Sequence, residues 1–166
     1  MNTIKLRPII TVEEKNTFVS EIQEAFQISY VSEFGEFEKQ VLPTEDIEES
    51  FNAKGAEAYI AEIGGERIGG AVIVIDDKTG YNSLHLLYVK SSAQNAGNGF
   101  KIWKAIEELH PETRIWETHT PYYDKRNIHF YVNRCGFKIV EFFNPKHKDP
   151  HQISESAGNI PKENNY

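Results

Sequence analysis

SSAQNAGNGFKIWKAIEEL, residues 91–109, sets a glycine pair, Gly97 and Gly99, between a strand-like run and an amphipathic helix, with Gln94 three residues before the first glycine. After the glycines, Phe100, Ile102, Trp103, Ile106 and Leu109 follow a helical stripe that stops at Pro111. Strand, glycine loop and helix in that order suit an anion. The first-turn amides of the helix are unpaired, the macrodipole is positive there, and glycine lets a phosphate approach the backbone. No Lys-Ser/Thr follows the second glycine, as a nucleotide-triphosphate loop requires, and the three-glycine dinucleotide pattern lacks its third member. A phosphate-bearing ligand is expected, although glycines chosen for the turn alone would serve a plain helix start.

Upstream of the loop the hydrophobic period is two. EAYIAEIGG (57–65) and ERIGGAVIVID (66–76) meet at Gly64 and Gly65 as a hairpin, and YNSLHLLYVK (81–90) follows the turn DDKTG (76–80), so three antiparallel strands precede the glycines. Before them, TIKLRPII (3–10) reads as a strand, and Thr11 and Glu14 form a capping box. The helix it starts carries Phe18, Ile22 and Phe26 on one core-facing stripe. That period fades over residues 30–40, which read as a loop or a broken second helix, and Pro43 and Thr44 open a short helix, EDIEESF (45–51), ending near Gly55. Downstream, TRIWETHT (113–120) reads as a fifth strand, KRNIHFYVNRC (125–135) as a helix closed by Gly136, and FKIVEFF (137–143) as a sixth strand.

With 166 residues, 39% of them hydrophobic, the chain suits one domain with its own core. We assign the domain to residues 1–143 and read residues 144–166, rich in Pro, Lys, His, Asn and Ser without periodicity, as an irregular or mobile tail. Apolar runs are too short for a membrane span, and the first residues lack the layout of a signal peptide, so a cytoplasmic protein is expected. The net charge of -7 disfavours a nucleic-acid backbone as partner. Cys135, the lone cysteine, builds neither a disulfide nor a cysteine metal site and reads as a small apolar residue near a helix end. His147 and His151 have helical ligand spacing, but Pro150 breaks that helix, so no metal is expected. Acid concentrates in residues 33–49, where Glu33, Glu36, Glu38, Glu45, Asp46, Glu48 and Glu49 face Lys39 alone. Such a segment is either a solvated helix face or a site for cations.

The element order, with Gln-x-x-Gly-x-Gly ahead of helix, strand, helix and strand, resembles the GCN5-related N-acetyltransferase (GNAT) superfamily over residues 3–143. Its Arg/Gln-x-x-Gly-x-Gly/Ala signature stands here as QNAGNG, five residues after Val89, and its second signature as Asn127, Tyr131, Gly136 and Phe137. The resemblance implies an α/β (α+β) fold with a mixed, mostly antiparallel sheet of six to seven strands flanked by about four helices. It also implies acetyl-CoA as cosubstrate. Its pyrophosphate would be cradled by Gln94, Asn95, Ala96, Gly97, Asn98, Gly99 and Phe100, its pantetheine arm would pair with Leu87 and Val89, and Asn127 would complete the cofactor site.

Moving an acetyl group from a thioester to an amine needs a neutral nucleophile, a donor to the carbonyl oxygen and an acid for the leaving thiolate. By the resemblance, Tyr131 is that acid and the Leu87 N–H polarises the carbonyl. For a base, alternation puts His85 on the face of Leu87 and Val89, and its intrinsic pKa suits proton removal near neutrality. HLLYV (85–89) also resembles the strand of arylalkylamine acetyltransferases, which carries a histidine four before that valine. Glu117, sharing a face with His119, is the reserve base; other members of the superfamily draw the proton off through water. The aromatic loop TPYYDKR (120–126) brings Tyr122 and Tyr123, beside Trp116, to the acceptor pocket. The expected acceptor is a small-molecule or peptide amine. With no clear seventh strand, the last strand is irregular or another chain supplies the pairing, as in a homodimer. A non-catalytic acyl-CoA sensor is the alternative, and a protein-interaction domain built on the acidic segment is a third.

Overall fold

The alternation of hydrophobic periods along the chain builds a five-stranded sheet with helices on both faces, in a computed structural model that describes residues 3–94, 96–121, 123–141 and 143. The order is β1 (Ile4–Pro8), α1 (Val12–Phe34), α2 (Thr44–Asn52), β2 (Ala56–Ile63), β3 (Glu66–Val74), β4 (Tyr81–Val89), a 3-10 turn at Ser91–Ala93, α3 (Asn98–Leu109), β5 (Ile115–Thr118) and α4 (Lys125–His129), which runs into a π-helical turn over Phe130–Arg134. The strands lie in chain order, β1 to β4 antiparallel. β5 joins β4 parallel, because the α3 crossover returns the chain to the same end of the sheet.

Each sheet face has its own core. On one, Ala71, Ile73 and Leu84 pack with Ile102, Trp103 and Ile106 of α3 and with Tyr131; on the other, Val72, Leu86 and Tyr88 pack with Phe18, Ile22 and Ala25 of α1 and Ile47 of α2. The capping box at Thr11 and Glu14 forms, and Phe18 and Ile22 are buried with Phe26 packed beside them. Cys135 packs against the α3 core, and burial pushes its thiol up to about 12.

Two expectations give way to tertiary contacts. α1 does not stop near Tyr30 but runs to Phe34, because Tyr30 is buried in a cluster with Val41 and Tyr123. Gln27 holds the following loop to the helix, donating to the carbonyls of Phe37 (3.3 Å) and Lys39 (3.0 Å) and accepting from the Val41 amide (2.9 Å). Among the described residues the sheet has five strands, fewer than the six to seven expected, and residues 137–141 form no strand. The Phe137 amide donates to the Tyr131 carbonyl (2.9 Å) and its ring packs on Trp103 and Tyr131, which draws the segment onto the helix and leaves Ile139 and Val140 exposed. Asn95, Tyr122, Phe142, the tail with His147 and His151, and any seventh strand lie outside the described residues.

His110, just past the end of α3, lies between the Glu57 carboxylate (2.8 Å) and that of Glu112 (3.0 Å). Burial works against its charge, yet the two carboxylates outweigh burial and raise its pKa above the usual 6.5. A histidine whose folded pKa is raised stabilises fully below its unfolded value, and that contribution is lost as pH rises through the folded value. Wild type should therefore exceed His110→Gln in unfolding free energy at pH 5.5, with the gap narrowing toward pH 8.5. Urea titrations of both proteins across that range measure the gap; a gap independent of pH would show the His110 charge to be idle.

Candidate active site

β4 and β5 form a fork. They pair from Tyr81 and Ile115 up to Leu84 and Thr118, where the Thr118 hydroxyl donates to the Leu84 carbonyl (2.9 Å). Beyond Leu84, among the described residues, β4 keeps only its β3 strand partner, as far as Val89, so the backbone groups on its other edge face the gap. The open strand is braced from behind. The buried Tyr88 hydroxyl donates to Glu21 of α1 (2.8 Å), and that carboxylate also receives Arg67 (2.9 and 3.1 Å).

At the open end of the gap stands the glycine loop. Gly97 precedes α3 at φ +73°, the left-handed region, which turns the chain so that the amides of Asn98, Gly99 and Phe100 begin the helix without an intrahelical acceptor. The loop is tied inward by side chains: Gln94 donates to the Val89 carbonyl (3.2 Å) and Asn98 to the Ala93 carbonyl (2.9 Å). Ala96 and Gly97 are exposed. Gly99 allows a close approach, since a Cβ there would sit 3.2 Å from the Phe130 ring. Leu87, Val89 and Phe130 all border the α3 core beside this loop. Asn127 lies in the first turn of α4, its amide donating to Asp124 (3.0 Å) and its side chain to Thr120 (3.4 Å).

The two faces of the fork carry different groups. Tyr131 approaches from the α3 and α4 side, buried, with its hydroxyl near the Thr118 side chain. Burial, then the neighbouring Cys135 and Asp124, hold the phenol far above its usual pKa, so it stays protonated. His85 does not share the face of Leu87 and Val89. The β3–β4 register slips between Val72 and Ile73, so that Val72 faces Leu86 and Ile73 faces Leu84, which leaves His85 as the extra residue of a β-bulge. Leu84 and Leu87 thereby share the α3 face at a spacing of three, and His85 turns with Leu86 to the opposite side, where its Nδ1 lies 3.4 Å from the Ser50 hydroxyl of α2. Burial and the charge of His119 lower the His85 pKa, and Glu117 opposes them. Glu117 is exposed on β5, whose alternation points it away from Trp116 and Thr118 and toward the His85 side.

Trp116 is no wall of an acceptor pocket on the α1 and α2 side. Its ring packs edge-on against Trp103 (5.4 Å) on the α3 face, because β5 alternation turns it there. Tyr123 does reach the end of α1, buried 5.7 Å from the rings of Tyr30 and Phe34. Glu33 and Glu36 are exposed beside this aromatic cluster, whereas Glu48 pairs with Lys15 (2.8 Å). Along α2, a shallow, open surface is lined by Thr44, Glu45, Glu48, Glu49 and Asn52, and none of the fork residues borders it. Ser50 and Thr118 were not marked by sequence reasoning. Both owe their place to the fork and bulge, which alternation of residue types does not reveal.

Comparison with known proteins bears on the family and the fold. The family model of the Acetyltransferase (GNAT) family matches residues 19–137. The uncharacterized protein YrkN of Bacillus subtilis (strain 168) is 49% identical over 135 residues, which cover 81% of this chain and 73% of that protein. Among solved structures, a Bacillus subtilis acetyltransferase in complex with CoA superposes with a TM-score of 0.62 at 19% identity, covering 95% of this chain and 92% of that one. A GNAT family acetyltransferase from Elizabethkingia anophelis with acetyl-CoA bound does so with a TM-score of 0.62 at 17% identity, with the same coverage of 95% and 92%. Among the described residues no helix is long and apolar enough to cross a membrane.

Proposed function

This chain belongs to the GNAT acetyltransferase family, and on that premise we propose that it is an acetyl-CoA-dependent N-acetyltransferase passing the acetyl group directly to a primary amine of a small molecule or peptide. The observation that carries the reading is the fork between β4 and β5, with the glycine loop at its open end and Tyr131 and His85 on opposite faces of its apex. The loop suits a pyrophosphate: the amides of Asn98, Gly99 and Phe100, without an intrahelical acceptor, supply donors, and the α3 dipole adds positive potential. The open edge of β4 around Leu87 offers backbone partners to an extended amide-bearing arm, as a peptide strand would use them, while the Val89 carbonyl is held by Gln94.

In the transfer, the amine lone pair forms the N–C bond to the thioester carbonyl and the C–S bond breaks. His85 takes a proton from the amine on the α2 side, and the Tyr131 hydroxyl donates one to the departing thiolate from the α4 side. Glu117, whose charge favours protonated His85, is the reserve acceptor of that proton. A screen of amines, amino acids, polyamines and peptide N-termini with acetyl-CoA, read by product mass, tests the reading; CoA affinity without turnover on any amine would point to an acyl-CoA sensor instead.

For the acceptor, the exposed acids Glu33 and Glu36 at the end of α1 favour a cationic amine. The second-order rate constant for the acceptor should fall as ionic strength rises, and charge reversal at Glu33 and Glu36 should lower it more than reversal at Glu107 and Glu108 of α3. Rates indifferent to salt, with both double variants alike, would remove the acidic segment from the site.

A further inference from the structure

We infer that Ser50 of α2 is a positioning residue for the transfer, accepting the Nδ1–H of His85 and so presenting Nε2 to the acceptor; the inference rests on the reading of His85 as base. The β-bulge is what brings the two together. Without the extra residue, alternation would turn His85 to the α3 face with Leu87; with it, the imidazole lies against α2, with Nδ1 3.4 Å from the Ser50 hydroxyl. Bulges commonly re-aim one side chain in this way.

Ser50 is a fixed partner. It is buried at 9% exposure, one turn from Ile47 at 0%, and its neighbour Phe51 packs edge-on against Phe18 at 5.1 Å. In helices such a hydroxyl often bonds the carbonyl four residues back, as Thr17 does with Glu13 (3.0 Å), but the side-chain bond formed by Ser50 runs to His85.

The chemistry of imidazole then selects the arrangement. A histidine acting as base through Nε2 carries its proton on Nδ1 beforehand and protons on both nitrogens afterwards. In both states Nδ1–H needs an acceptor, and the Ser50 oxygen provides one without ring rotation. The charges that bear on the ring from β5, Glu117 favouring the cation and His119 opposing it, leave the hydroxyl as the group that α2 contributes.

The test compares Ser50→Ala, Ser50→Thr and His85→Gln by acceptor kinetics over pH, acetyl-CoA affinity and ¹⁵N NMR of the histidines. Ser50→Ala should lower kcat/KM for the acceptor roughly tenfold. It should also move the acidic limb of the pH profile to lower pH, since the imidazolium loses an acceptor, and should leave acetyl-CoA affinity unchanged. NMR should show His85 as the Nδ1–H tautomer in wild type and as a mixture in Ser50→Ala, while Ser50→Thr restores the wild-type profile. Ser50→Cys, near-isosteric and a poor acceptor, repeats the test should the alanine variant fold poorly. A strongly impaired His85→Gln beside a Ser50→Ala enzyme with wild-type profile and tautomer would overturn the role of Ser50 alone. A fully active His85→Gln would overturn the base reading and the Ser50 role with it.

Discussion

Replacing Tyr131 with Phe is expected to lower turnover by about 10²- to 10⁴-fold, the usual contribution of a general acid, while acetyl-CoA affinity stays within about twofold. The substitution keeps the ring that packs against Phe130 and Phe137 and removes only the hydroxyl that meets Thr118 at the apex of the fork. A donor used as the thiolate forms contributes to the transition state far more than to the ground state, so the loss should fall on kcat. Because burial holds the phenol protonated far above neutrality, no activity limb near pH 7 to 9 should belong to Tyr131. Single-turnover rates with acetyl-CoA bound isolate the chemical step. A variant retaining most of the wild-type rate there would make Tyr131 a packing residue of the α3 core.

Gly97→Val is expected to weaken acetyl-CoA binding at least tenfold, about 1.4 kcal/mol, with little change in the sheet. At φ +73° a β-branched residue is strained, so the loop would relax and re-aim the amides that open α3. A Cβ at Gly97 meets nothing within 4 Å, so the substitution crowds no protein atom and its effect should fall on the ligand and on loop geometry. Gly97→Asn is the control, since asparagine tolerates the left-handed region and should lose less. Calorimetric titration with CoA separates the cases: unchanged affinity in the valine variant would remove this loop from the cofactor site.

Much of this was legible along the chain because it rests on local rules. The capping box at Thr11, the stripe of Phe18 and Ile22, the hairpin at Gly64 and Gly65, and the stripe of Ile102, Trp103 and Ile106 each need only neighbours within one turn or one strand pair. The glycine loop was readable for the same reason, since a left-handed residue ahead of an amphipathic helix is a local requirement.

What the sequence by itself determined, then, is the order of elements, the anion-suited loop at Gly97 and Gly99, and the family signatures, all of them set by short-range periodicity and backbone sterics. The tertiary structure alone decided the rest. Gln27 and the buried Tyr30 extend α1, the docking of Phe137 on Trp103 removes a strand from the sheet, and a one-residue slip against β3 swings His85 from the α3 face to Ser50. The physical reason is that a strand's side-chain period is two, so one unpaired residue reverses the face of whatever lies beyond it. Whether that residue exists depends on the register that β4 adopts against β3, which neither residue type nor spacing along the chain encodes.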